Sequence, residues 1–278
     1  MRIPRCGPAI AGLALSLGAL AACGGASGPS ATGTAEAPRA GEPSAGGGDD
    51  ARTPEPGGDA EALRGKVIVI DPGHNGGNAA HPSEINRQVR IGNGGKACDT
   101  TGTSAESGYT EHAFTWDVSN RLARLLRARG AKVTLTRPDD KGVGPCINER
   151  ATIGNRLKAD AAVSIHADGA AASEHGFHII EPIAVKGNER MVPASLKLGR
   201  ALRDAYREGT GIAYSTYLGE NALDRRDDLG GLNLSTVPKV FIECGNMRNP
   251  GDAAKLSSAP FRQRIAESLT QGLTAYFS

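Results

Sequence analysis

Lys66-Val-Ile-Val-Ile-Asp-Pro-Gly-His-Asn-Gly-Gly77 reads as a buried strand that ends abruptly and hands a histidine to a glycine-rich loop. Val67 to Ile70 are all β-branched and apolar, which suits a strand covered on both faces, as in a parallel sheet flanked by helices. Asp71 and Pro72 close the strand, because proline cannot donate to a ladder, and Gly73, Gly76 and Gly77 let backbone approach a bound group closely. An imidazole at the carboxyl end of such a strand stands where open α/β sheets place their sites. Taken alone, His74 reads more plainly as a satisfied loop histidine, since one residue has no ligand geometry to test.

Outward from this stretch, strands alternate with helices. A helix is expected from Glu111, capped by Thr110 and ended by Gly130, with Phe114, Val118, Leu122, Leu125 and Leu126 at helical spacing. Lys132 to Arg137 is the second strand, and a helix spans about 147–157. Ala161 to His166 is the third strand, another apolar run that delivers a histidine at its end. A strand over 176–180, a helix over 195–208, a buried strand from Lys239 to Glu243 and an amphipathic helix over 260–276 complete the pattern. The expected fold is α/β, a single domain with a mostly parallel twisted β-sheet flanked by helices on both faces. The segment from Asn75 to Thr110 is too long for a simple connection and reads as a functional loop or substrate-facing insertion, with a short helix or hairpin around 83–91. Thr210 to Asn233 reads as a loop. His175 and His178, which are not at a strand's carboxyl end, read as structural or surface residues. The arginines at 121, 124, 127 and 129 read as a solvated helix face that complements the dipole.

The 278-residue chain opens with Arg2 and Arg5, an apolar run and small residues up to Ala22, an export signal too short for an ordinary membrane span. Leu20-Ala21-Ala22-Cys23 is similar to the lipobox of bacterial lipoproteins, which implies a membrane anchor through lipidated Cys23; plain secretion is the alternative. Residues 23–62 read as a disordered tether, and the folded domain is placed at 63–278. Residues 24–61 carry a net charge of −5, which leaves +5 for residues 62–278. That excess is too small to imply nucleic acid, and no nucleic-acid-binding motif occurs. With 4% aromatics the core is expected to be aliphatic. In an oxidising compartment Cys98 and Cys146, both in glycine-rich segments, are the expected disulfide, and Cys244 an inert core thiol.

His74, Glu111 and His166 at strand or helix edges would make a two-histidine, one-carboxylate set of the kind that holds catalytic zinc and leaves a fourth position for water. Glu243, ending a separate strand, could take a proton from that water and pass it to a leaving nitrogen. Val67 to Gly77, Tyr109-Thr-Glu111, Leu135-Thr-Arg137, Ala159 to Ala167 and Val240-Phe-Ile-Glu243 resemble the successive motifs of the zinc-dependent N-acetylmuramoyl-L-alanine amidases, from about Gly65 to the C-terminus. The resemblance implies hydrolysis of the amide between N-acetylmuramic acid and the first L-alanine of the stem peptide, in peptidoglycan or muropeptides. It implies Zn2+ as cofactor, held by His74, Glu111 and His166, with Glu243 as the catalytic glutamate. Arg150 and Asn155 match positions read as helix packing.

The chain departs from that pattern at two places. Glu111-His-Ala113 replaces the usual Glu-Lys-Asp, so His112 is a competing donor, though it points about 100° away on the helix. Glu243-Cys-Gly-Asn246 alters the wall after the last strand. The stretch from His178 to Ser195 is too short for the helix that plugs the site in some members, which implies an enzyme open without an activator; the chain is expected to be a monomer. A non-catalytic wall-binding lipoprotein and a zinc peptidase acting on stem peptides are the other two readings.

Overall fold

The structure is a computed structural model that describes residues 58–278. The expected signal, the lipobox with Cys23 and nearly all of the tether lie outside the described residues. Helix α1 (Gly58–Leu63) takes the place of the tether's last residues. It is followed by β1 (Val67–Pro72), a 3-10 turn (Asn78–Ala80), α2 (Pro82–Ile85), β2 (Gln88–Arg90) and β3 (Gly95–Ala97). Then come α3 (Glu111–Ala128), β4 (Lys132–Leu135), α4 (Ile147–Leu157), β5 (Ala161–Asp168) and β6 (His178–Pro182). The chain closes with α5 (Val192–Thr210), β7 (Leu223–Arg226), α6 (Gly230–Asn233), β8 (Lys239–Asn246), α7 (Pro250–Ser257) and α8 (Ala259–Phe277).

Six strands form one sheet in the order β4-β1-β5-β8-β6-β7, parallel except for the β6–β8 pair, which is antiparallel. Side chains alternate across it. Ile68, Ile70, Val163, Ile165, Val240 and Ile242 face α3, α5 and α8 in an aliphatic core, fully buried against Phe114, Leu122, Leu202 and Leu269. Each such side chain contributes roughly 1.5–3 kcal/mol by leaving water. The other face is covered by α4 and α6 and is polar toward the strands' carboxyl ends. There Asp71 lies level with Ser164, Ser164 with Phe241, and His166 with Glu243.

The expected single α/β domain, mostly parallel and helix-flanked, is what forms. The elements that differ are short or polar. β1 runs through Asp71 and Pro72 rather than stopping at Ile70, because Pro72 stays in register with Ile165 of β5, whose carbonyl accepts from the Gly73 N–H at 3.0 Å. The fourth strand is shifted two residues, to His178–Pro182, after Gly176, whose φ of +97° breaks the extended run. Thr110 is the N-cap residue of α3, but its hydroxyl makes no capping bond. The expected loop over 210–233 contains β7, an edge strand paired with β6, and the single turn α6. The long 75–110 segment folds into the 3-10 turn, α2 and the antiparallel β2–β3 hairpin. Cys98 and Cys146 are disulfide-bonded across 48 residues, as expected, and Cys244 is a buried free thiol.

Candidate active site

Four side chains meet at the carboxyl ends of β1, β5 and β8. β1 delivers Gly73 and His74, β5 delivers His166, β8 delivers Glu243, and α3 begins at Glu111 with its carboxylate in the gap between the two imidazoles. Glu111 Oε1 accepts from His166 Nδ1 at 3.0 Å and from the Ala167 N–H at 3.2 Å, and it stands 3.2 Å from His74 Nε2. Its Oε2 accepts from the Thr103 N–H at 2.9 Å. Donor atoms of His74, Glu111 and His166 all lie within 4.8 Å of one another. The imidazole rings of His74 and His166 are edge-on, with centroids 5.0 Å apart, and His166 stacks on Phe241.

Close packing here depends on two glycines. A Cβ on Gly73 would lie 2.2 Å from His166 Cε1, and one on Gly102, at φ +74°, would lie 2.8 Å from both Glu111 Oε2 and His74 Cδ2. His74 itself has φ +58°, an uncommon conformation for a residue with a side chain and one that marks functional loops. Its ring is held by Asp99 Oδ1 at 3.2 Å and the Thr100 carbonyl at 3.1 Å, both on Nδ1, so Nε2 faces Glu111. This is the arrangement by which a carboxylate or carbonyl fixes the tautomer of a metal-binding histidine.

Burial works to lower His74, but the Glu111 and Asp99 carboxylates outweigh it and raise the imidazole to about 10. Burial likewise raises Glu111, and the two histidines overcome that and hold it well below the ordinary carboxylate range. The cluster is therefore a place where positive charge is strongly favoured. Two imidazoles and one carboxylate, converging on one point with their outer faces oriented by Asp99 and Thr103, fit a tetrahedral divalent ion with one position left open.

Glu243 lies level with His166 on the neighbouring strand. Burial, reinforced by the Glu111 and Asp168 carboxylates, pushes its carboxyl well above the usual range. His112 is not part of the cluster: its Nδ1 bonds Asp140 at 2.8 Å. Arg150 corrects the reading as packing. Its buried guanidinium bonds Asp71, the Pro72 and His74 carbonyls, Asn75 and Asp99, so it fixes the loop that carries His74. Asn155 does pack the helix, bridging the Leu234 carbonyl and the Thr236 N–H. Asp99 was not singled out in the sequence; its position next to Cys98, whose disulfide pins the segment, was the available signal.

The cluster opens into a cleft in two lobes. One, of about 360 Å³, runs past Lys96, Thr100, Ile147 and Leu229; the other, about 390 Å³, contains Asp168, Arg226 and Glu243. The β2–β3 hairpin forms part of the wall, tied to the loop before α6 by Lys96 to Asp228 at 2.8 Å and by Asn93 to the Asp227 carbonyl at 2.7 Å.

Residues 68–275 match the model of the Amidase_3 family, N-acetylmuramoyl-L-alanine amidase. The N-acetylmuramoyl-L-alanine amidase Rv3717 of Mycobacterium tuberculosis is 43% identical over 217 residues, covering 78% of this chain and 88% of the relative. The crystal structure of the amidase Ami1 from Mycobacterium smegmatis superposes with a TM-score of 0.73 at 38% identity, over 77% of this chain and 98% of that one. The probable cell wall amidase LytH of Staphylococcus aureus is 28% identical over 78% of this chain and 60% of its own length. A parallel sheet that gathers two histidines and two glutamates at one edge thus comes with a family match over most of the chain: it belongs to the Amidase_3 family of N-acetylmuramoyl-L-alanine amidases.

Proposed function

We propose that the chain is a zinc-dependent N-acetylmuramoyl-L-alanine amidase that hydrolyses the amide between N-acetylmuramic acid and L-alanine in peptidoglycan or muropeptides, with His74, Glu111 and His166 as the zinc ligands and Glu243 as the catalytic residue. The observation that carries this reading is the convergence of three donors within 4.8 Å beside a carboxylate on the adjoining strand. Zinc held there would polarise the scissile carbonyl and acidify a neighbouring water. Glu243 supplies the proton transfers: it accepts the proton of the attacking water and delivers it to the L-alanine nitrogen as the C–N bond breaks. Its raised affinity for protons, set by burial beside two other carboxylates, suits a group that must hold a proton between those steps. Phe241 stacks on His166 and Leu229 lines both lobes, which restricts water on the apolar side of the cleft.

The leader and Cys23 point to an exported enzyme anchored by lipid at the membrane, with an acidic tether giving reach into the wall. Only nine residues separate β6 from α5, so no plugging helix interrupts the described cleft at that point and the enzyme works without an activator.

The deciding experiment is mass analysis of a muropeptide digest. Wild type is expected to release stem peptides with a free L-alanine amino end, and Glu243→Gln to lose the activity by ~100- to 10,000-fold. Shortened peptides instead of free L-alanine ends would identify a peptidase, and full hydrolysis by Glu243→Gln would remove the mechanism.

A further inference from the structure

We infer that His178 is a positioning residue for Glu243, its ring N–H holding the inner oxygen of that carboxylate through one bridging water. The inference rests on the reading of Glu243 as the proton carrier.

β6 runs antiparallel to β8 with His178 directly opposite Glu243, and Glu243 is level with His166 on its other side. Three side chains therefore stand in one row on one face of the sheet, His166, Glu243 and His178. Directly opposed residues have Cβ atoms roughly 4.5–5.5 Å apart, within reach of an imidazole and a carboxylate. His178 is 0% exposed, and both its ring nitrogens are buried without a hydrogen-bond partner among the described residues. Oε2 of Glu243 is in the same condition. More than nine in ten buried polar groups in folded proteins have a partner, and leaving one unmet costs on the order of 1–3 kcal/mol. A buried donor-bearing ring and a buried acceptor oxygen, set opposite each other with no direct hydrogen bond between them, answer one another's deficit through one bridging water.

The surroundings fit this role. Tyr217 stands edge-on to the His178 ring, centroids 5.9 Å apart at 89°, and fixes its plane. Burial lowers the His178 pKa, against the Asp168 and Asp224 carboxylates, so the ring is neutral at pH 7 and carries one donor and one acceptor. Arg226 adds positive charge on the same side, which also disfavours an imidazolium. With its inner oxygen held, Glu243 presents the other oxygen to the cleft in one orientation. Proton transfer demands that alignment, whereas substrate binding does not.

The test uses the zinc-loaded full chain on a muropeptide substrate. His178→Phe, which fills the space without a donor, is expected to lower kcat ~10- to 100-fold with KM within about twofold of wild type. His178→Gln, whose amide can donate, restores most of the loss. A His178→Phe enzyme with wild-type kcat overturns the inference, and so do equal losses in both variants, which assign the residue to packing. A second readout is independent of turnover. In the wild-type NMR spectrum the His178 ring N–H should be protected from exchange, and Glu243→Ala should remove that protection; unchanged protection overturns the contact. An inactive wild type would fail the amidase reading alone, while the exchange measurement still decides the contact.

Discussion

Asp71 is a buried carboxylate beside the candidate site, and four groups converge on it: Thr136 at 2.7 Å, Arg150 at 2.8 Å, Ser164 at 2.6 Å and Lys239 at 3.0 Å. Burial would raise its pKa, but Lys239, Arg150 and the two hydroxyls outweigh that and hold it well below the ordinary value of 3.8. A folded-state pKa below the unfolded one means a contribution that is complete above the unfolded value and lost as pH falls through the folded one. Wild type should therefore lose stability steeply below about pH 4, measured by urea midpoints, and Asp71→Asn should give a flatter curve there. At pH 7 the same variant strands Lys239 and Arg150 and should cost roughly 3–5 kcal/mol. Parallel curves for the two proteins in acid would show that Asp71 is not the titrating group. The sequence makes His74, His166 and Glu243 legible because each ends an apolar run, where strand chemistry meets the open edge. Glu111 is legible from its place in a capped first turn. Arg150, Asp99 and His178 are not, because what they do depends on which strand or loop lies opposite, and register across a sheet leaves no mark in local periodicity.

At the scale of elements, the long apolar strands and the three long helices α3, α5 and α8 were readable, since their periods of two and 3.6 persist over enough residues to be distinguished. β7, with the sequence Leu-Asp-Arg-Arg, has a single apolar residue, and α6 is one turn beginning with two glycines, so neither carries a period. α7 is missed for a different reason: Asn249 caps it by accepting from the Gly251 and Asp252 N–H groups, a local signal easily absorbed into the turn before α8. The hairpin segment is organised less by its own pattern than by the Cys98–Cys146 bond, which ties it to the start of α4. Asp99, adjacent to that bond, reaches both His74 and Arg150, so the staple and the candidate metal site share a few residues of backbone. Closing a loop of 48 residues should stabilise the fold by at most about 4 kcal/mol. The double variant Cys98→Ser, Cys146→Ser is expected to unfold at lower denaturant and also to bind zinc more weakly in a competition titration. A lowered midpoint with unchanged zinc affinity would confine the bond to stability and separate it from the site.

For the molecule as a whole, the metal and the fold should be coupled through the same edge. β1, β5, β8 and α3 each contribute one side chain to the cluster, and these elements also enclose the main aliphatic core. In an unfolded chain the three proposed ligands, separated by 37 and 55 residues, cannot be gathered, so an ion that binds them favours the folded state by mass action. At free zinc 1,000 times its dissociation constant the gain is about 4 kcal/mol. For a domain of this size that raises Tm by roughly 8–16 °C, and a chelator should reverse it. The variants divide by role. His74→Ala and His166→Ala should lose the zinc-dependent rise, because they remove donors. Glu243→Gln should keep it while losing hydrolysis, because in the proposed mechanism that carboxylate moves protons and does not hold the ion. His178→Phe should likewise keep it. Scanning calorimetry of the wild type and the four variants, with and without zinc, reads all of this directly. Were Glu243→Gln to abolish the shift, Glu243 would be a ligand, and the division of the edge into three holding groups and one proton carrier would fall.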